Sequence, residues 1–260
     1  MNAEQAGRCA RKCCPNEFRK PVNRHSYAPA GEVPTLLAEL LPAGFFAAEE
    51  TGDPPGTVLY PAEREAVRAV TARGRREFTT VRGCARRALA ECGLPPAPLV
   101  PGPGGAPGWP PGVVGSMTHC DGYRAAAVAR ASTAASVGID AEPHRPLPPG
   151  LVRRIVSGAE EDERVRRLEA EEPSVCWDRL LFCVKEAVYK AWFPLTGRPL
   201  GFRRVSAQPD PATGEFTATL HPSPPAPGGL GTLTGRWSAR EGLLVVAVTV
   251  PAPRPAGAAR

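Results

Sequence analysis

Residues 177–193 read WDRLLFCVKEAVYKAWF, inside a segment whose period predicts a helix over 174–193. Trp177, Leu180, Leu181, Val184, Ala187, Val188 and Ala191 fall on one apolar stripe about 120° wide at the helical repeat, a face that packs on a core. Glu186 and Lys190 are four apart and neighbour each other on the opposite side. Phe182, Tyr189 and Phe193 share that side. A fully solvated face rarely carries three aromatics, so the helix is expected between the core and a cleft, with Glu186 and Lys190 in the cleft. The competing reading is an exposed ion pair worth about 0.2–0.5 kcal/mol beside aromatics buried elsewhere.

The two lysines are themselves unusual. Of 32 basic side chains only four are Lys, and from Ser26 onward the only ones are Lys185 and Lys190. Lys is a compact point charge with a shiftable pKa, whereas Arg is a rigid fork that stays charged.

Outward from this helix the chain has 260 residues, enough for one large domain or two small ones, with 42% hydrophobic residues to build a core. Its 32 prolines and 27 glycines cluster in loops and near the ends. The net charge of +6 favours an acidic partner or a polyphosphate ligand. It is too scattered for nucleic acid, and no finger or RNA-binding signature is present. No apolar run reaches the roughly 18 residues of a membrane span. The N-terminus lacks the apolar core of a secretory signal. These features place the protein in the cytoplasm, with its eight cysteines reduced. Cys9, Cys13 and Cys14 lack an evident fourth ligand for zinc.

The rhythm of helices, a Pro/Gly loop and strands occurs twice. It suggests two α/β halves, 28–135 and 136–250. Residues 1–27 form an extension and 251–260 a tail. Pro61 opens a helix expected to end near ARGRR. A second helix follows in REFTTVRGCARRALAECGL, stopped by Gly93. PPAPLVPGPGGAPGWPPG is a loop. VVGSMTHC and YRAAAVAR read as a strand pair, and ASVGIDAEP as a third strand. Residues 150–172 read as helical. GEFTATL, GTLTGRWSA and GLLVVAVTV read as late strands, the last two joined at REG.

Asp140 and Glu142 alternate along a strand, which puts both carboxylates on one face where the strand leaves the core. Like charges this close repel unless a cation sits between them. A magnesium ion, bound by one or two carboxylates plus substrate phosphates, is one answer; two exposed acids at a strand end is the other. Ser116, Thr118 and His119 supply donors in GSMTHC. Arg75, Arg76, Arg82 and Arg86 are either forks for phosphate or a solvated helix face.

VGIDAEP followed some 40 residues later by FCVKEAVYKAWFPLTGRPLGF, together with GSMTHCDGYRAAAV and REFTTVRGCARRAL, resembles the 4′-phosphopantetheinyl transferases over roughly residues 35–250. The similarity is to the single-chain surfactin-type class, and within it to the enterobactin-synthetase-component branch of actinobacteria. The resemblance implies an α+β fold of two pseudo-symmetric α/β halves, with the ligand site between them and coenzyme A bound there. It implies magnesium-dependent transfer of the 4′-phosphopantetheine arm to a serine of an acidic apo acyl or peptidyl carrier protein, with 3′,5′-ADP as the other product. Asp140 and Glu142 match metal ligands, joined by the Ala141 carbonyl and by Glu186, which is metal ligand or general base. Lys185 and Lys190 match positions near the pyrophosphate, and Lys190 is the one expected to stabilise the leaving group. His119 and Arg82 match contacts to the 3′-phosphate, with Thr118 beside them and Arg75, or Arg73 in another register, as a second arginine. The family's lysines before the GWP turn are absent from VPGPGGAPGWP. Arg153, Arg154, Arg164, Arg166 and Arg167 are candidate carrier contacts, against a plain solvated helix. The partners implied are coenzyme A and carrier domains, the chain itself being a monomer that binds neither nucleic acid nor membrane. Two other readings use the same residues: a magnesium-dependent phosphohydrolase or nucleotidyl transferase, and an inactive carrier-binding module.

Overall fold

Helix-forming periodicity and strand alternation resolve into two helix-backed sheets. The structure, a computed structural model, describes residues 35–221 and 230–253. In chain order these hold β1 (Phe45–Thr51), α1 (Pro61–Ala66), α2 (Ala72–Glu91), β2 (Val113–Cys120), β3 (Tyr123–Arg130) and β4 (Ala134–Pro143). There follow α3 (Val152–Ile155), α4 (Ala159–Glu171), α5 (Trp177–Thr196), β5 (Val205–Asp210), β6 (Glu215–Leu220), β7 (Thr232–Arg240) and β8 (Leu243–Pro251). One sheet has the order β1-β3-β2 and the other β4-β8-β7-β6-β5. All their pairings are antiparallel. The architecture is α+β, as the sequence implies.

Each sheet is backed by a 20-residue helix. Cys84, Ala85, Ala88 and Leu89 of α2 pack on Ala48, Ala126 and Val128. The stripe of α5 read from the sequence packs on Phe216, Ala218, Trp237, Val246 and Val248. Between the sheets lies a third cluster. Alanines 125 and 127 of β3 meet Val137, Ile139 and Ala141 of β4 and Val245 and Ala247 of β8. Strand β3 is buried on both faces, which is why it reads as an unbroken apolar run rather than an alternation.

The two sheets meet at their edges through side chains. An edge strand leaves unpaired N–H groups that need partners. The Ser116 hydroxyl of β2 accepts from Ile139 N at 3.1 Å, and the Thr118 hydroxyl accepts from Ala141 N at 3.1 Å. The two-residue period of both strands brings hydroxyl and amide into step.

Three sequence expectations change. ARGRR does not end the first helix: it opens α2, because Thr71 accepts from Gly74 N and starts the helix there. Strand β5 was not expected; VSAQPD has only short alternation and a proline, and its place at the sheet edge tolerates both. Helix α5 runs past Phe193, with Pro194 in its last turn, and stops at Gly197 in the left-handed region. The β7–β8 hairpin turns at Glu241 and Gly242, both with positive φ, as a two-residue turn of the favoured twist requires. The extension at 1–27, with Cys9, Cys13 and Cys14, lies outside the described residues, and so does the tail beyond residue 253.

Gly138 sets the distance between α5 and its sheet. A Cβ there would lie 2.0 Å from the Ala187 carbonyl oxygen and 2.6 Å from the Ala191 amide nitrogen. Helix backbone and strand backbone are in direct contact, and nothing flexible can yield. Gly138→Ala is therefore expected to destabilise the fold by about 3 kcal/mol, the upper range for overpacking, in denaturant unfolding. Unchanged stability would show that the helix can move away freely.

Candidate active site

The same face of β4 that carries Gly138 carries Asp140 and Glu142, each two residues further along. Helix α5 runs antiparallel to β4, so Ala187 and Ala191 meet Gly138 while Arg179 meets Glu142. The stretch between presents Cys183, Glu186 and Lys190.

Asp140 is 5% exposed. Its Oδ1 accepts from Lys190 Nζ at 2.7 Å and from the Thr118 hydroxyl at 3.0 Å. Lys190 also donates to the Ile139 carbonyl at 3.1 Å. Asp140 Oδ2 is buried without a hydrogen-bond partner. The buried Cys183 thiol, whose pKa is raised by burial and by Asp140, donates to the Leu244 carbonyl at 3.7 Å.

Glu142 accepts from Arg179 at 2.8 Å. Burial and the charge of Asp140 push its carboxyl up to about 7, against the opposing pull of Arg179. Glu186 is pushed up to about 7 by burial and by Asp140, with Lys190 opposing and Glu142 adding to the rise. The three acids thus share one electrostatic neighbourhood. An orphaned buried carboxylate oxygen with two proton-retaining carboxyls nearby suits a hard divalent cation, which takes oxygen ligands and relieves such repulsion. Among the described residues no three such side chains already stand close enough to enclose an ion. Arg179 draws Glu142 to one side and Lys190 holds Asp140.

His119 stands beside this group. Burial holds its imidazole well below the usual range; Glu77 opposes this while Lys190 and Arg124 reinforce it. Its Nε2 is 3.7 Å from Glu77. Glu77 is in turn bound by Arg73 at 2.8 Å and approached by Arg124 at 3.6 Å, and Arg124 is fixed by Asp53.

Two family models match the chain. One, described as the 4′-phosphopantetheinyl transferase N-terminal domain, covers residues 62–129, and one described as the 4′-phosphopantetheinyl transferase superfamily covers 136–228. The chain belongs to the 4′-phosphopantetheinyl transferase family. It is 51% identical over 223 residues to the 4′-phosphopantetheinyl transferase Svp of Streptomyces mobaraensis, covering 84% of this chain and 90% of that one. It is 46% identical over 232 residues to PptT of Mycobacterium tuberculosis, covering 84% and 99%. It is 42% identical over 223 residues to Npt of Nocardia iowensis, covering 82% and 99%. Both relatives are likewise named 4′-phosphopantetheinyl transferases.

In this phosphopantetheinyl transferase Asp140, Glu142, Glu186, Lys190, Thr118 and His119 gather at the β4–α5 crossing. Ala141 between the two acids is buried and gives its N–H to Thr118. Three expected residues lie elsewhere. Lys185 is enclosed: Nζ donates to Glu161 at 2.6 Å and to the carbonyls of Ile155 and Phe202 at 2.7 and 3.1 Å. No donor is left for a pyrophosphate, so Lys185 braces the fold rather than the ligand. Arg82 is buried, donating to the Leu99 carbonyl at 3.0 Å with its guanidinium 3.5 Å above the Phe78 ring. It braces the Pro/Gly loop, whose Gly104 lies against Phe193. Arg75 is exposed and lines a shallow cleft of about 310 Å³ with Arg64 and Thr79.

Sequence reasoning missed Arg179 and the Glu77–Arg124–Asp53 chain. Arg179 is seven residues before Glu186, two helical turns away on the same face, and that spacing was the available signal. The second chain joins three distant segments and left no signal.

Lys185→Ala leaves Glu161 buried without its counter-charge. It is expected to cost about 3–5 kcal/mol in unfolding free energy, with much of the loss recovered in a Lys185→Met/Glu161→Gln double variant. A loss below about 1 kcal/mol in the single variant sinks this structural role.

The raised carboxyls give a pH test. Between pH 4.5, the ordinary carboxyl value, and about 7 the folded state keeps protons on Glu142 and Glu186 that the unfolded chain releases. Their contribution to stability therefore falls as pH rises through this window, by about 1.4 kcal/mol per pH unit for each proton retained. In a chelating buffer, Glu142→Gln/Glu186→Gln should gain on the parent as pH rises from 4.5 to 7 and hold a constant offset below it. A pH-independent difference would contradict the shared field.

Proposed function

We propose that this phosphopantetheinyl transferase moves the 4′-phosphopantetheine of coenzyme A onto a serine of an apo acyl or peptidyl carrier protein, with magnesium, in the cytoplasm. What carries this reading is the buried Asp140, whose Oδ2 has no partner, beside Glu142, Glu186 and Lys190 in a chain of this family.

Asp140, Glu142 and Glu186 are the residues that would hold the metal. When bound it supplies positive charge to the pyrophosphate oxygens. The serine oxygen forms a bond to the β-phosphorus, and the bond from that phosphorus to the oxygen bridging to the nucleotide breaks. The products are the phosphodiester on the carrier and 3′,5′-ADP. The serine proton goes to Glu186, which shares the electrostatic neighbourhood of Asp140, Glu142 and Lys190. Lys190, already oriented by Ile139 and Asp140, stands by the departing oxygens. Such transfer needs chiefly positioning and neutral charge balance. His119, within the field of Lys190 and Asp140, is left to the 3′-phosphate, with Thr118 fixing Asp140 instead of the ligand.

The partner is an acidic carrier domain, matching a chain of net charge +6. Residues 28–135 and 136–250 are taken as the two halves, joined at β4.

Incubation with an apo carrier, coenzyme A and magnesium should add the mass of one phosphopantetheine to the carrier, and 3′,5′-ADP should form only when the carrier is present. Release of 3′,5′-ADP without the carrier would instead indicate a phosphohydrolase. Lys190→Arg should lower kcat by about 100-fold, since a fork cannot seat on both the Ile139 carbonyl and Asp140 Oδ1 as the ammonium does. Near-normal turnover would remove Lys190 from the chemistry.

A further inference from the structure

The arginines of α3 and α4 divide into two groups. Arg166 pairs with Asp162 at 2.7 Å, Arg167 lies 3.8 Å from Glu171, and Arg164 donates to the Ala207 carbonyl at 3.1 Å. These are committed to their own helix or to β5. Arg153 and Arg154 of α3 are exposed, and no carboxylate among the described residues lies within salt-bridge distance of either. The short turn of helix Phe202–Arg204 carries Arg203 and Arg204, equally exposed and equally without a carboxylate.

The buried Lys185 joins these two elements. Its Nζ holds the carbonyls of Ile155 and Phe202 at 2.7 and 3.1 Å, so the two oxygens lie within about 6 Å of each other. Each belongs to a residue next to one of the arginines. The two short elements that carry the four arginines are thus tied together, and an opposing acidic surface would balance their positive charge. Beside them the Phe202 ring meets Phe182 of α5 at 5.5 Å, and both are half-buried. Phe182 is one helical turn before Glu186. Half-open aromatics with arginines around them have the composition of a protein interface. An interface of standard size, about 800 Å² per partner, spans roughly 30 Å, so one centred on Phe182 and Phe202 covers both the arginines and the approach to Glu186.

We infer that Arg153, Arg154, Arg203 and Arg204, with Phe182 and Phe202, form the surface on which the acidic carrier domain docks. This rests on the carrier-transfer reading and adds where the carrier sits. The clamp by Lys185 explains why a lysine is buried one residue from Glu186: it ties the docking surface to the helix that carries the chemistry.

The test is an Arg153→Glu/Arg203→Glu variant of the full chain, assayed with an apo carrier domain at several salt concentrations. KM for the carrier should rise about tenfold or more, KM for coenzyme A should stay within about twofold, and the salt dependence of kcat/KM should flatten, because steered association is what charge reversal removes. Arg68→Glu, which alters an exposed arginine paired with Glu65 in the other half, should leave both constants unchanged. A carrier whose acidic residues near the serine are replaced by Lys should recover transfer with the double variant. The retained KM for coenzyme A shows that the variant is folded. An unchanged KM for the carrier overturns the proposal. So does a raised KM for coenzyme A with the carrier constant unaltered, which would make the patch a nucleotide-phosphate site. No transfer by the unaltered enzyme would overturn the functional reading and this proposal with it, a result distinct from normal transfer by the double variant.

Discussion

Everything at the site depends on the contact between the backbones of β4 and α5 at Gly138. With no side chain at that point, a helix can touch a strand directly. The next two residues on the same face are then forced against the same helix. Asp140 is buried in this way and meets Lys190. Glu142, one step further out, meets Arg179. Close packing generates the electrostatics: carboxylates that would be ordinary on a surface are desolvated and crowded, and their protons are held more tightly.

The seam between the sheets complements that contact from the other side. Ser116 and Thr118 take the edge amides of β4, so the strand is fixed on one side by hydroxyls and on the other by the β8 ladder. Thr118 serves twice, since its hydroxyl also donates to Asp140. The strand β2 that supplies these hydroxyls also delivers His119. A mixed edge of this kind closes two sheets without joining them into one, and leaves a site where they meet.

Two lysines five residues apart on one helix have opposite fates. Lys190 projects towards β4 and shares an acid with a threonine. Lys185, turned away from β4, is fully enclosed by one carboxylate and two carbonyls. Burial lowers the pKa of Lys185 and Glu161 offsets that effect. The compact ammonium suits both places, for different reasons: three donors for three fixed acceptors in one, a small charge beside crowded oxygens in the other.

The α+β class, the two long helices, the buried stripe of α5 and the pairing of Asp140 with Glu142 were legible in the sequence. These depend on periods of 3.6 and 2 along a single segment, and a period is a local property. Glu186 and Lys190 were legible as a facing pair for the same reason. Long-range partners were not. Nothing near Lys185 announces Glu161, Ile155 and Phe202, and nothing near Arg82 announces the Leu99 carbonyl. A long charged side chain reaches over several ångströms, so its partner is chosen by whichever element folding brings alongside. Residue type and spacing by themselves determined which segments form helix and strand and which acids share a face. The tertiary structure alone decided which cation faces the acids and which is spent on the fold, because that choice depends on contacts between segments far apart in the chain.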